Sequence, residues 1–255
     1  MLRATILAIV PAGAAEVVSS NVVGYQKLSI PAGGYALLAN PFTVVGSDGE
    51  TFPINDMFSD DAGQSTAGNT SGLGDTIEVW DPTIQGYSSL YFFSSRAGNK
   101  WAAGASPRVA TTDAINAGDG YWYRNRGANT FTLTVSGEVA TNDVTITLSP
   151  GYTLVCNPFP ADLPLNSDNI DWATAGATAG NTSGLGDTIE VWDPTIQGYS
   201  SLYFYSSRAG SKWAAGASPR VATTDSIPAG AGFWYRNRSN SDITITLKSP
   251  LASVE

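Results

Sequence analysis

Three carboxylates within one short segment, Asp75, Glu78 and Asp81, recur downstream as Asp187, Glu190 and Asp193. Glycosidases work with such groups in pairs, one as acid and the other as base or nucleophile. Glu78 also shares a strand face with Trp80, the carboxylate-beside-aromatic arrangement of sugar-handling sites. No other catalytic group is at hand. The chain has no histidine, which removes the commonest general base and the commonest zinc ligand. Its one cysteine, Cys156, aligns with Ala39 and reads as a small buried residue, with no intrachain disulfide to form. Solvent-facing strand positions and Asp-Pro turn chemistry account for the carboxylates without any reaction, and an active site kept twice at near identity is unusual for a hydrolase. The expectation is therefore a chain that is not an enzyme, with no catalytic residue, cofactor or metal. Asn55, Asp56, Asp60 and Asp61, with Asp168, Asn169 and Asp171, are hard oxygen donors of the kind calcium takes. Neither loop has EF-hand spacing and the two differ, so solvated acidic loops are expected.

Aromatic residues offer binding rather than catalysis. Trp80, Tyr87, Trp101 and Tyr123, with copies Trp192, Tyr199, Trp213 and Tyr235, are the candidate interface or glycan-stacking residues. Some must be core, but exposed Trp and Tyr anchor interfaces and stack on sugar rings. In Tyr121-Trp122-Tyr123, alternation sends Trp122 to the face opposite its neighbours. Arg96, Lys100, Arg108, Arg124 and Arg126, copied as Arg208, Lys212, Arg220, Arg236 and Arg238, offer a basic patch on an otherwise acidic chain, suited to subunit register. Asn69-Thr70-Ser71 and Asn181-Thr182-Ser183 fit the glycosylation sequon, a short and unspecific motif.

The elements that carry these residues belong to a repeat. Residues 68–126 match 180–238 at an offset of 112 with 6 differences over 59 positions. Upstream, Gly34 to Phe42 pairs with Gly151 to Phe159 at an offset of 117, so the first module has five extra residues between Phe42 and Gly68. Within each module Thr76-Ile77-Glu78-Val79-Trp80, Phe131 to Val135, Val144 to Leu148 and Ile243 to Leu247 alternate as half-buried strands do. A short helix is expected near Asn55-Asp56-Met57-Phe58. The predicted fold is all-β: two tandem homologous β-sandwich or barrel-like modules, 20–137 and 138–255, preceded by an N-terminal segment 1–19. Charged residues make up 14 % of the 255 and the net charge is -9, with 13 basic residues scattered along the length. That excludes a phosphate-neutralising surface and nucleic acid as partner. No apolar run approaches the roughly 20 residues of a membrane-crossing helix.

Met1-Leu2-Arg3, an apolar stretch and Ala12-Gly13-Ala14-Ala15 read as a signal peptide. Alternatively, Thr5, Ile6, Leu7, Ala8, Ile9 and Val10 read as a β-strand apolar on both faces, which could be donated to the sheet edge of a neighbouring subunit. Both place the protein outside the cytoplasm. The segments Ser20-Asn21-Val22-Val23-Gly24-Tyr25, Gly34-Tyr35 through Asn40-Pro41-Phe42, Gly74-Asp75-Thr76-Ile77 through Trp80, and Gly120-Tyr121-Trp122 resemble a β-rich module of secreted bacterial proteins to which no activity is assigned. The resemblance spans most of residues 20–255 and implies export and a β-rich fold. The function expected is a secreted structural protein, a homopolymer built head to tail, with strand donation by the N-terminal segment. The alternative is a bivalent carbohydrate-binding or adhesive protein that uses its paired aromatics on glycans.

Overall fold

The computed structural model describes residues 22–45, 51–59, 63–81, 84, 86–104, 109–216 and 221–250. The candidate donor strand Thr5–Val10 lies outside them. Module 1 contains β1 (Val23–Ile30), β2 (Tyr35–Ala39), β3 (Phe42–Thr43), β4 (Phe52–Pro53), α1 (Ile54–Met57), β5 (Thr76–Asp81), β6 (Gly86–Phe93), β7 (Lys100–Ala103), β8 (Ala114–Ile115), β9 (Gly120–Arg124) and β10 (Phe131–Val139). Module 2 contains β11 (Val144–Leu148), β12 (Gly151–Cys156), β13 (Leu163–Pro164), β14 (Thr188–Asp193), β15 (Gly198–Tyr205), β16 (Lys212–Ala215), β17 (Ser226–Ile227), β18 (Gly232–Asn237) and β19 (Ile243–Leu247). The described residues are all-β apart from the one-turn helix, which falls where the sequence placed it.

Each module is a sandwich. In module 1 the antiparallel sheet β2-β9-β5-β6-β7 packs on the three-stranded sheet β1-β10-β3; in module 2 β12-β18-β14-β15-β16 packs on the two strands β11-β19. No sheet closes into a barrel among the described residues. Alternation decides which side chains go inward. Ile77 and Tyr123 pair across β5 and β9, while Tyr121, Leu90 and Phe92 join them in the first core with Leu28, Ile30, Phe131 and Val135 from the facing sheet. Asp75 and Asp187, both fully buried, tie off the ends of the large sheets. Asp75 accepts from the amides of Thr66 (3.0 Å) and Arg126 (2.7 Å) and from the Tyr123 hydroxyl (2.9 Å). Asp187 repeats the pattern with Thr178, Arg238 and Tyr235.

The divergent loops supply the same lid by different means. Phe58, held by α1, lies 5.9 Å from Trp101 and 5.5 Å from Tyr123, and Trp172 takes that place in module 2, 5.1 Å from Trp213 and stacked on Tyr235 at 5.7 Å. Asn55 is a clamp: its side chain accepts from the Trp101 amide (2.9 Å) and donates to the Thr111 carbonyl (2.9 Å), as Asn166 does for Trp213 and Thr223. At the junction β10 runs on through Ser136 to Val139, paired with β1 and β3, so module 1's sheet extends two residues past the expected boundary at 137; Ala140 and Val144 already pack on the second core.

Candidate functional site: twin aromatic clefts at the module seam

The outer faces of the two large sheets carry the same rows of side chains. In module 1 the register aligns Tyr35, Arg124, Thr76 and Tyr91 in one row and Leu37, Trp122, Glu78 and Ser89 in the next. Module 2 repeats them as Tyr152, Arg236, Thr188, Tyr203 and Leu154, Trp234, Glu190, Ser201. These faces meet across a pseudo-two-fold axis, and glycine lets them close. A Cβ on Gly120 would stand 2.9 Å from Leu154, and one on Gly232 would stand 3.0 Å from Leu37, so each leucine seats on the other module's glycine. The Ala39 amide donates to the Gly230 carbonyl (2.9 Å), and Cys156, fully buried, donates its thiol to the Gly118 carbonyl. Burial pushes the Cys156 thiol well above its ordinary pKa, and the nearby Asp119 adds to the shift.

Four tryptophans cross the seam in two edge-to-face pairs, Trp80 with Trp234 and Trp122 with Trp192, both at 4.9 Å. Tyr87 stands 5.1 Å from Trp80 and Tyr199 5.1 Å from Trp192; Tyr35 and Tyr152 stand 6.3 Å from Trp122 and Trp234 respectively. The indole N–H of Trp122 donates to the Tyr87 hydroxyl (3.2 Å) and that of Trp192 to the Tyr35 carbonyl (3.2 Å). Burial raises the pKa of the Tyr87 and Tyr199 phenols, against the lowering effect of the Trp122 and Trp234 indoles, so at neutral pH both are hydroxyl donors.

The tryptophan pairs wall two open clefts. One, about 400 Å³, is lined by Trp80, Tyr87, Tyr152, Glu190, Tyr199 and Trp234. The other, about 320 Å³, is lined by Tyr35, Glu78, Tyr87, Trp122, Trp192 and Tyr199. Each therefore has one carboxylate among its lining residues, and Tyr87 and Tyr199 serve both. No protein-family model, curated protein or solved structure matches this chain. The chemistry must come from the lining itself: flat apolar rings for stacking, hydroxyl donors, and one carboxylate acceptor.

Of the aromatic candidates from the sequence, the seam brings together Trp80, Tyr87, Trp192 and Tyr199. Trp101, Tyr123, Trp213 and Tyr235 are corrected: all four are fully buried in the two sandwich cores, where no ligand or partner reaches them. Tyr123 shares the inward face of β9 with Tyr121, and Trp101 pairs with Phe92 on β6 beneath the Phe58 lid. Tyr35 and Tyr152 were not among the candidates, and Trp122 and its copy Trp234 stood out only as facing away from their neighbours. The alternation in Tyr121-Trp122-Tyr123 was the signal for Trp122. The carboxylates also separate: Asp75 and Asp187 are structural, Asp193 caps a turn by accepting from the Thr195 amide (2.7 Å), and Glu78 and Glu190 line the clefts. Among the described residues no group of three or more His, Cys, Asp or Glu side chains stands ready to hold a metal ion.

Proposed function

We propose that the chain is a non-catalytic, exported binding protein whose twin clefts take pyranose rings of a glycan. The observation that carries this is the duplicated aromatic cleft: two sets of Trp and Tyr rings, open to solvent at Tyr87, Tyr152 and Tyr199 (37 %, 44 % and 44 % exposed), each beside one glutamate. Aromatic faces stack on the apolar faces of sugars, and a carboxylate accepts their hydroxyls. A glycosidase needs a second carboxylate across the scissile bond, and each lining supplies one. Two like sites on one seam also raise avidity for a polymer. Tyr199→Ala strips a wall from both clefts at once. Tryptophan fluorescence titrated with a panel of soluble polysaccharides should shift for the wild type, with affinity falling about tenfold or more in the variant. A wild type that responds to none of them sinks this function.

One observation favours assembly as a second reading. In module 1 β10 is flanked on both sides, by β1 and β3, whereas its counterpart β19 pairs only with β11 among the described residues. An open edge of this kind accepts a strand from another chain, and Thr5–Val10 is the segment to supply it. Electron microscopy of the full chain should then show filaments that vanish when residues 1–15 are removed; single particles in both cases would rule out strand donation.

A further inference from the structure

The larger cleft does not end at its tryptophans. It continues, through the shared residues Tyr152 and Glu190, into a groove of about 280 Å³ on the outer face of module 2. This second compartment differs in character: its lining includes Arg236, Arg238, Ser183 and Ser201. Arg236 lies over the Tyr152 ring, 5.1 Å from its centroid. Arg238 is fixed by the carbonyls of Gly186 (2.6 Å) and Ser183 (2.8 Å). Neither guanidinium forms an ion pair among the described residues. Glu190, the one carboxylate in the groove, accepts from the Ser201 hydroxyl instead.

Module 1 repeats the arginine-on-tyrosine contact and leaves its guanidinium groups less satisfied. Arg124 lies over Tyr35, 4.9 Å from the ring centroid, and Arg126 reaches the Ser71 carbonyl (3.0 Å). The Nε–H groups of both Arg124 and Arg126 are buried without an acceptor. A buried donor left unpaired is costly, and an anion that accepts from two neighbouring guanidinium groups would offset that cost. In a chain of net charge -9, two pairs of arginines that form no direct ion pair among the described residues stand out as places for negative charge, with Asp75 and Glu78 acting on Arg126 only at longer range.

We propose that each arginine pair, Arg124 with Arg126 and Arg236 with Arg238, is an anion subsite for the carboxylate of a uronate-bearing polysaccharide whose neighbouring rings lie in the aromatic clefts. The guanidinium fork matches a carboxylate in two-point hydrogen bonding. The stacked position of Arg124 and Arg236 on tyrosine presents that fork beside a ring-binding surface. This inference rests on the glycan reading of the clefts and adds to it the charge of the ligand.

The test uses three matched pairs of soluble polymers, polygalacturonate, alginate and hyaluronan, each beside its carboxyl-reduced form, with the full chain in isothermal titration calorimetry. At least one acidic polymer should bind ten times or more tighter than its reduced form at low salt, the gap narrowing as salt is raised. In the double variant Arg124→Gln, Arg236→Gln, checked for an unchanged melting temperature, the gap should shrink to within about twofold while binding of the reduced form persists. Equal binding of acidic and reduced forms by the wild type overturns the anion subsites and leaves the clefts as neutral-sugar sites. Binding of neither form in any pair overturns both. The comparison of polymers on the wild type decides the matter even where the double variant fails to fold.

Discussion

Leu37→Ala tests whether the seam is a unit of stability in its own right. Leu37 is 4 % exposed yet belongs to neither sandwich core; its side chain rests on Gly232 of the other module. Truncation removes three carbons. At about 0.8 kcal/mol per methylene, with a further cost for the unfilled space, the loss is about 2–4 kcal/mol, all of it at the interface. The readout is already in place. Cys156 is fully buried in the same seam, and burial holds its thiol protonated, so it reacts only when the modules part. Labelling by an aromatic disulfide reagent under native conditions therefore follows the seam's opening equilibrium whenever closing outruns reaction. A loss of 2–4 kcal/mol should speed labelling roughly 30- to 700-fold. The rate should also depend only weakly on added denaturant, because parting the modules exposes far less surface than unfolding them. A labelling rate that rises as steeply with denaturant as global unfolding does, in wild type and variant alike, would refute the idea that the seam opens by itself.

Two further outcomes follow from differences between the repeats. The Trp101 indole donates to the Phe58 carbonyl at 3.2 Å, whereas the Trp213 indole N–H is buried without a partner. Trp101→Phe should therefore cost about 1–2 kcal/mol more than Trp213→Phe, although both remove the same atoms, because the first strands an acceptor and the second deletes an orphan donor. Equal shifts in the denaturation midpoint would contradict this. Carboxyl-carbon NMR titration should place Asp75 above its ordinary value of 3.8 and Asp171 below it. Burial dominates at Asp75, whereas the exposed Asp171 accepts from the Thr174 amide and hydroxyl. The signs are opposite. Asp75 favours the fold fully below pH 3.8 and loses that contribution as pH rises through its folded value; Asp171 contributes above pH 3.8 and loses it as pH falls through its lowered value.

Local pattern made much of the fold legible. The alternation in Thr76-Ile77-Glu78-Val79-Trp80 put Ile77 inside and Trp80 outside, and Tyr121-Trp122-Tyr123 put Trp122 opposite its neighbours, as the register confirms. A side chain sent to the outer face of a sheet is not thereby sent to water. What covers Trp122 and Trp234 is the partner module, and the pseudo-two-fold docking that brings Leu37 onto Gly232 depends on contacts nearly two hundred residues apart, which no period of two or 3.6 records. The core positions of Trp101 and Trp213 were missed for a related reason. Their lids, Phe58 and Trp172, sit in the stretch where the repeats diverge, so the duplication was silent there.

The first and last strands of each module lie side by side, β1 against β10 from Val23↔Glu138 to Ile30↔Phe131, and β11 against β19 from Val144↔Leu247 to Leu148↔Ile243. The chain thus enters and leaves a module at the same point. Tension applied between those two points would load each ladder from its end and peel it one hydrogen-bonded pair at a time, instead of straining all the pairs together in shear. Along that axis the module yields like a zip fastener, and any mechanical strength between neighbouring modules must come from the seam.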